Sequence, residues 1–271
     1  MTDRVFGLAA LDTSWDTLSA DFREAIGRSL VKTISKMQIQ EVANLMYAIS
    51  LLTFDADNVP TSQCMEQALK GTKTVTNTDI LFDIHTEIIL KFHTWKEVDF
   101  EQENYDQFEV YFEFMRTIPY AVEWITSLIG YMPQASGPCA PIPSVLHTKT
   151  IQATMANLDP SEFSVFHEFN GLLGGVFPID CAVYYHDKLL AFIEVDGNYH
   201  YKNIDGEFKR NWSEHQLRRK DRLKESLYKN KFPHIPLYRI RSDQVNALGF
   251  EKIGQVMASW LTLLVSKQQQ A

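Results

Sequence analysis

Apolar residues at intervals of four, Leu18, Phe22, Ile26, Leu30 and Ile34, put one hydrophobic face on a helix over Trp15 to Met37. The stretch Ile39 to Leu52 repeats the pattern with Val42, Leu45, Met46, Ile49 and Leu52, and turn residues from Asp55 to Pro60 close it. These two segments read as a helical hairpin. A short helix over Ser62 to Leu69 follows, then a longer one capped by Thr78 or Asp79 and reaching His93, with Leu81, Ile84, Ile88 and Phe92 as its apolar set. Phe108, Tyr111, Phe112 and Met115 stripe a further helix; Pro119 interrupts the pattern and Ala121 to Leu128 resumes it. Prolines and a glycine then crowd into residues 133–144, which reads as a linker after a helical domain, bundle or repeat, over residues 1–132.

Beyond the linker the period changes. Val145 to Leu158 suits a helix, and Phe163 to Phe169 alternates as a strand with Glu168 near its end. A Gly-rich turn leads to strands over Val176 to Tyr184 and Leu189 to Val195. A helix over Glu214 to Asn230, a strand over Pro236 to Arg241 and a terminal amphipathic helix over Phe250 to Val265 complete the order. Three antiparallel strands followed by a helical crossover to a fourth predict an α/β sandwich with a mixed sheet over residues 145–271, and an α+β chain overall.

The formal charge of -8 excludes a protein that coats nucleic acid indiscriminately, because such affinity comes from neutralised phosphates. The charge is uneven, however. Lys202 to Arg241 carries twelve Lys or Arg against five Asp or Glu, a balance of +7 against -15 for the remainder. Glu97 to Glu113 holds seven acidic residues and no Lys or Arg, which reads as a solvated helix face or as an acidic docking surface for a protein partner. His85 and His93 lie eight apart, not at a metal-binding interval, and read as structural. Cys64, Cys139 and Cys181 support neither a disulfide framework nor a short-spaced zinc site. With no leader and no apolar run of about 18 residues, the expectation is a soluble protein of the cytoplasm or another reducing compartment, with no membrane partner.

The candidate chemistry sits in FPIDCAVYYHDKLLAFIEVDGNYHY, Phe177 to Tyr201. Glu194 and Asp196 are two apart on one strand and share a face. If the loop after Tyr185 has three residues, Asp180 lies directly across from Glu194. Carboxylates converging away from water call for a cation, a shared proton or a neighbouring Lys or Arg. Hard oxygen ligands suit Mg²⁺ or Mn²⁺, with Asp180, Glu194 and Asp196 as the candidate set. The helix that follows presents Arg218, Arg219, Lys220, Arg222 and Lys224 for phosphate contacts, against the plainer reading of a solvated face. Tyr199, Tyr201 and Trp212 could stack on unpaired bases or pack in the core.

This arrangement resembles the PD-(D/E)XK nuclease superfamily, in which an Asp on one strand of a hairpin faces Glu-x-Lys on the next. Within it, the pattern is most similar to the RAP domain, an RNA-associated module. Glu168, Asp180, Glu194-Val195-Asp196-Gly197, His200, the Arg218 to Lys224 helix and Tyr238 follow that pattern in order over about the last 110 residues. Upstream, MQIQEVANLMYAISLL looks like one octotricopeptide-type helical repeat, without a second copy at a fixed period. The resemblance implies an RNA-binding protein with a restriction-endonuclease-like C-terminal domain. It departs from the superfamily at Asp196, which stands where the catalytic Lys belongs. If the protein cleaves RNA, Asp180 and Glu194 would hold the metal, Asp196 would serve as ligand or base, and His200 or a lysine of the following helix such as Lys220 would replace the missing cation. Binding without cleavage, DNA as the substrate, and an inactive nuclease fold used for protein interaction are the competing readings.

Overall fold

A computed structural model describes residues 2–10, 13–54, 79–95, 102–117, 144–172, 177–197, 200–203 and 215–269. The chain divides into two compact units, Met1–Gly137 and Pro138–Ala271, a division that falls inside the proline-rich stretch. The predicted helices over Ser62 to Leu69 and Ala121 to Leu128, most of the linker, Cys64, Cys139, Tyr199 and Trp212 lie outside the described residues.

The first unit contains helices α1 (Thr2–Ala10), α2 (Ala20–Thr33), α3 (Ile39–Thr53), α4 (Asp79–His93) and α5 (Gln102–Arg116). The predicted Trp15–Met37 helix is shorter than its period suggests. Ser19 accepts the Phe22 N–H and starts it anew, and 3₁₀ turns at Trp15–Thr17 and Ile34–Lys36 flank it. Helix α1 was not evident from the pattern. Helix α3 is the centre of this unit and packs against both α1 and α5. Its N-terminus is held by Glu41, whose carboxylate accepts the Gln38 N–H at 2.9 Å. Between α3 and α5 the side-chain amides of Gln40, Asn44, Asn104 and Gln107 bond one another, so polar groups at this seam are satisfied within the unit. The acidic helix α5 differs from expectation. Phe108, Tyr111, Phe112 and Met115 are buried, but so are Glu109 and Glu113, two of the residues expected on a solvated face.

The second unit adds helices α6 (Val145–Met155), α7 (Arg219–Lys231) and α8 (Ser242–Gln269) around strands β1 (Phe163–Phe169), β2 (Ile179–Tyr185), β3 (Lys188–Asp196), β4 (Tyr201–Asn203), β5 (His215–Leu217) and β6 (Leu237–Arg241). The chain is therefore a mixed α and β protein, with eight α-helices among the described residues. β1, β2 and β3 are antiparallel and β6 runs parallel to β3, in the open order β1-β2-β3-β6. Helices α6 and α8 pack together on one face. Ile151, Ile253, Met257, Leu261 and Val265 join Cys181, Val183, Ile193 and Val195 in one apolar core there. Gly254 permits that contact, since a Cβ would meet the Ala153 carbonyl oxygen at 2.3 Å. On the other face, Tyr228 of α7 packs edge-on against Phe192 at 5.4 Å. Helix α7 starts five residues later than expected because His215–Leu217 pairs with Tyr201–Asn203 as a separate small sheet.

The β2–β3 connection is tighter than predicted. Tyr185 pairs with Lys188, leaving a two-residue turn, and His186 and Asp187 both have positive φ (44° and 62°), as a primed turn needs. The third residue expected in the loop sits instead in a bulge, where the register shifts between Val183 and Tyr184. Loop or bulge, one extra residue produces the same register beyond it.

Candidate active site at the strand fork

Cys181 pairs with Ile193, and this register places Asp180 opposite Glu194. Beyond that pair the two strands part company. β2 continues against β1 to Ile179, β3 continues against β6 to Asp196, and side chains bridge the fork. Asp180 Oδ2 accepts the Val195 N–H at 2.6 Å, and Glu194 Oε1 accepts the Asp180 N–H at 3.2 Å. Each carboxylate thus caps backbone of the opposite strand, which fixes both without a ladder bond.

Lys224 completes this group from α7. Its Nζ lies 2.6 Å from Glu194 Oε1, with Glu194 1% exposed and Lys224 buried beside it. Burial pushes the Glu194 carboxyl up to about 7, the Lys224 ammonium opposes that rise, and Asp180 adds to it. A lysine of the basic helix therefore stands against Glu194, and it is Lys224, not the Lys220 offered as the example or His200. Lys220 instead lies over the Phe177 ring at 5.6 Å. His200 Nδ1 bonds Asp221 Oδ1 at 2.8 Å, and that bond holds its pKa above the usual value.

On the other side of Asp180 the sequence reading missed a residue. His147, at the start of α6, brings Nδ1 to 3.4 Å from Glu168 Oε1 and 4.0 Å from Asp180 Oδ1. His147, Glu168 and Asp180 form a set whose donor atoms all lie within 4.8 Å of one another. Glu168 is aimed by a left-handed backbone (φ 50°), and burial together with Asp180 raises its carboxyl to about 7. Burial lowers the His147 pKa, with Asp180 opposing. One imidazole and two carboxylates fit a divalent cation. No sequence motif marks His147, since it precedes Glu168 by 21 residues and belongs to a helix to which no site residue was assigned.

Asp196 goes elsewhere. Arg239 Nη1 reaches its two oxygens at 2.7 and 3.0 Å and Tyr201 donates its hydroxyl at 2.6 Å, all at a position 1% exposed. The structure thus ties Asp196 and Tyr201 into one buried cluster, where Tyr201 directs its hydroxyl inward. Of the basic helix, Arg218 and Lys220 are exposed, Arg222 is half-buried, Arg219 is buried, and Lys224 is engaged at the fork. An aromatic surface absent from the sequence reading lies on β1. Phe166, 57% exposed, packs at 5.1 Å against Tyr184 and pairs with Ala182, two residues from Asp180 and so on the same sheet face.

No protein-family model, curated protein or solved structure matches this chain. No helix among the described residues is long and apolar enough to cross a membrane.

Proposed function

We propose that the C-terminal unit is a restriction-endonuclease-like domain of the RAP type that binds RNA and hydrolyses its phosphodiester bonds with a divalent cation. The observation that carries this reading is the fork, where Asp180, Glu194 and Lys224 converge from three elements beside Glu168 and His147. In this reading Lys224 of α7 would stand in for the lysine absent from the Glu-x-Lys position at Asp196. Glu168, Asp180 and His147 would hold the cation, which when bound polarises a phosphate oxygen and acidifies a water molecule. Lys224, kept in place by Glu194, supplies a fixed positive charge for the attacking water or the developing phosphorane charge. Exposed Arg218 and Lys220 offer phosphate contacts, and Phe166 with Tyr184 offers a surface on which a base can stack.

The test is cleavage of end-labelled single-stranded RNA and DNA with Mg²⁺ or Mn²⁺, comparing wild type with Asp180→Ala, Glu194→Ala and Lys224→Met. Metal-dependent RNA cleavage lost in all three variants is the expected result. Equal cleavage by every protein would expose a contaminant and sink the reading, and cleavage confined to DNA would replace its substrate.

A further inference from the structure

We infer that the cation site at the fork is a mixed nitrogen and oxygen site for a transition ion of the Mn²⁺ class, with His147 Nδ1 as a direct ligand beside Glu168 and Asp180. Its function rests on the reading above; its geometry does not. Ser144 Oγ accepts the His147 N–H at 3.1 Å, which starts α6 and fixes where the ring enters the core, 2% exposed. His147 Nε2 is occupied by His167 Nδ1 at 3.2 Å, a contact that needs one proton shared between the two rings. Such an outer partner is what orients a ligating imidazole, and here it leaves Nδ1 facing the carboxylates.

The ring is hydrogen-bonded to the Asp180 backbone, and its spacing to the two carboxylates leaves room for an ion. At 3.4 and 4.0 Å, Nδ1 stands beyond hydrogen-bond length from the Glu168 and Asp180 carboxylates. Two ligands each about 2.1 Å from one ion and roughly at right angles are themselves about 3 Å apart, so a small inward movement would complete the set. Asp180 is already oriented for it, because its Oδ2 is bound to the Val195 N–H and its Oδ1 lies 4.0 Å from His147 Nδ1. An imidazole donor also discriminates among cations. Mg²⁺ favours oxygen ligands and sheds water reluctantly, whereas first-row transition ions accept nitrogen readily.

Mn²⁺ added to the full chain, followed by electron paramagnetic resonance, provides a readout independent of cleavage. Wild type is expected to bind one Mn²⁺, to retain most of it against a hundredfold excess of Mg²⁺, and to show a directly bound ¹⁴N in pulsed spectra. His147→Gln should lose the ¹⁴N coupling and at least about tenfold in Mn²⁺ affinity, with helical and sheet content unchanged by circular dichroism. If that variant fails to fold, Asp180→Asn and Glu168→Gln carry the test, each expected to weaken Mn²⁺ by about tenfold or more. Bound Mn²⁺ without ¹⁴N coupling, a coupling that survives His147→Gln, affinity unmoved by both carboxylate variants, or no bound Mn²⁺ would overturn the inference. RNA cleavage supported equally by an all-oxygen ion would leave the hydrolytic reading standing without it. Nitrogen-ligated Mn²⁺ in a protein that cleaves nothing would do the reverse.

Discussion

Two carboxylates of one hairpin, Asp196 and Asp180, meet opposite fates although both lie at the same end of the sheet. Asp196 is saturated: a guanidinium covers both oxygens, a phenol donates to one, and Arg239 is itself braced by Glu225 at 3.3 Å. Asp180 has its backbone contact at Oδ2, while Oδ1 lies 4.0 Å from His147 Nδ1 and the carboxylate groups with Glu168 within 4.8 Å. Asp196, bonded at both oxygens by Arg239 and at one by Tyr201, has its charge cancelled within the fold. Asp180 is instead grouped with another acid and an imidazole, the setting in which the proposed cation would be held. The two differ in partner and in burial alike, the Asp196 side chain being 1% exposed and that of Asp180 24%.

The largest effect expected from that contrast is on stability. Arg239→Met strands a buried Asp196 and should destabilise the C-terminal unit by about 3–5 kcal/mol, read as faster hydrogen exchange of the β3 and β6 amides. Adding Asp196→Leu to it should recover most of the loss, because both charges then leave the interior. A double variant as unstable as the single would mean that the pair does not act as a unit. At the other carboxylate the order reverses. Asp180→Asn should leave amide protection within about 1 kcal/mol of wild type while lowering RNA cleavage by roughly 10²-fold or more, and Lys224→Met should lower it by about 10²–10³-fold. A large stability loss for Asp180→Asn would erase the contrast.

Smaller effects refine it. Phe166→Ala removes the exposed ring of the Phe166–Tyr184 pair and should weaken binding to single-stranded RNA by about 1–3 kcal/mol, measured by fluorescence anisotropy at fixed salt. Unchanged affinity would confine binding to the basic helix. The smallest effect concerns a third kind of buried acid, one for which no ion pair is seen among the described residues and whose Oε2 has no hydrogen-bond partner there. Burial, Asp106 and Glu113 raise Glu109 of α5 to about 7, from a usual 4.5. The folded form thus holds this proton more tightly than the unfolded chain. Its contribution is present in full below about pH 4.5 and is lost as pH rises through 7. Glu109→Gln should flatten the fall in thermal stability of the helical unit between pH 5 and 8, and an unchanged slope would assign the pH dependence to other groups.

How much of this was legible without coordinates varies by element. The antiparallel hairpin and its register followed from alternation and turn residues, and Asp180 was rightly set opposite Glu194, although through a loop of the wrong length. A bulge and a longer loop shift a register equally, so period-2 patterning cannot tell them apart. The start of α7 was misplaced because Glu214-His215-Gln216-Leu217 contains no residue that breaks a helical pattern, while the pairing of His215–Leu217 with Tyr201–Asn203 is non-local. Glu109 and Glu113 were expected in solvent since charge normally goes there, yet α5 is enclosed by its own unit.

By itself the chain's order of residues determined the two-part division into helical and α/β segments, the mixed sheet with a helical crossover, and a hairpin that puts Asp180, Glu194 and Asp196 on one face. These follow from local periodicity and steric rules, which act over a few residues. Only the tertiary structure decided which acid met which partner. Lys224 reaches Glu194 across 30 residues, Arg239 reaches Asp196 across 43, and His147 reaches Glu168 from a helix preceding the sheet. Electrostatic pairing depends on distance in space, and a linear pattern of charges carries no such distances until the core has packed.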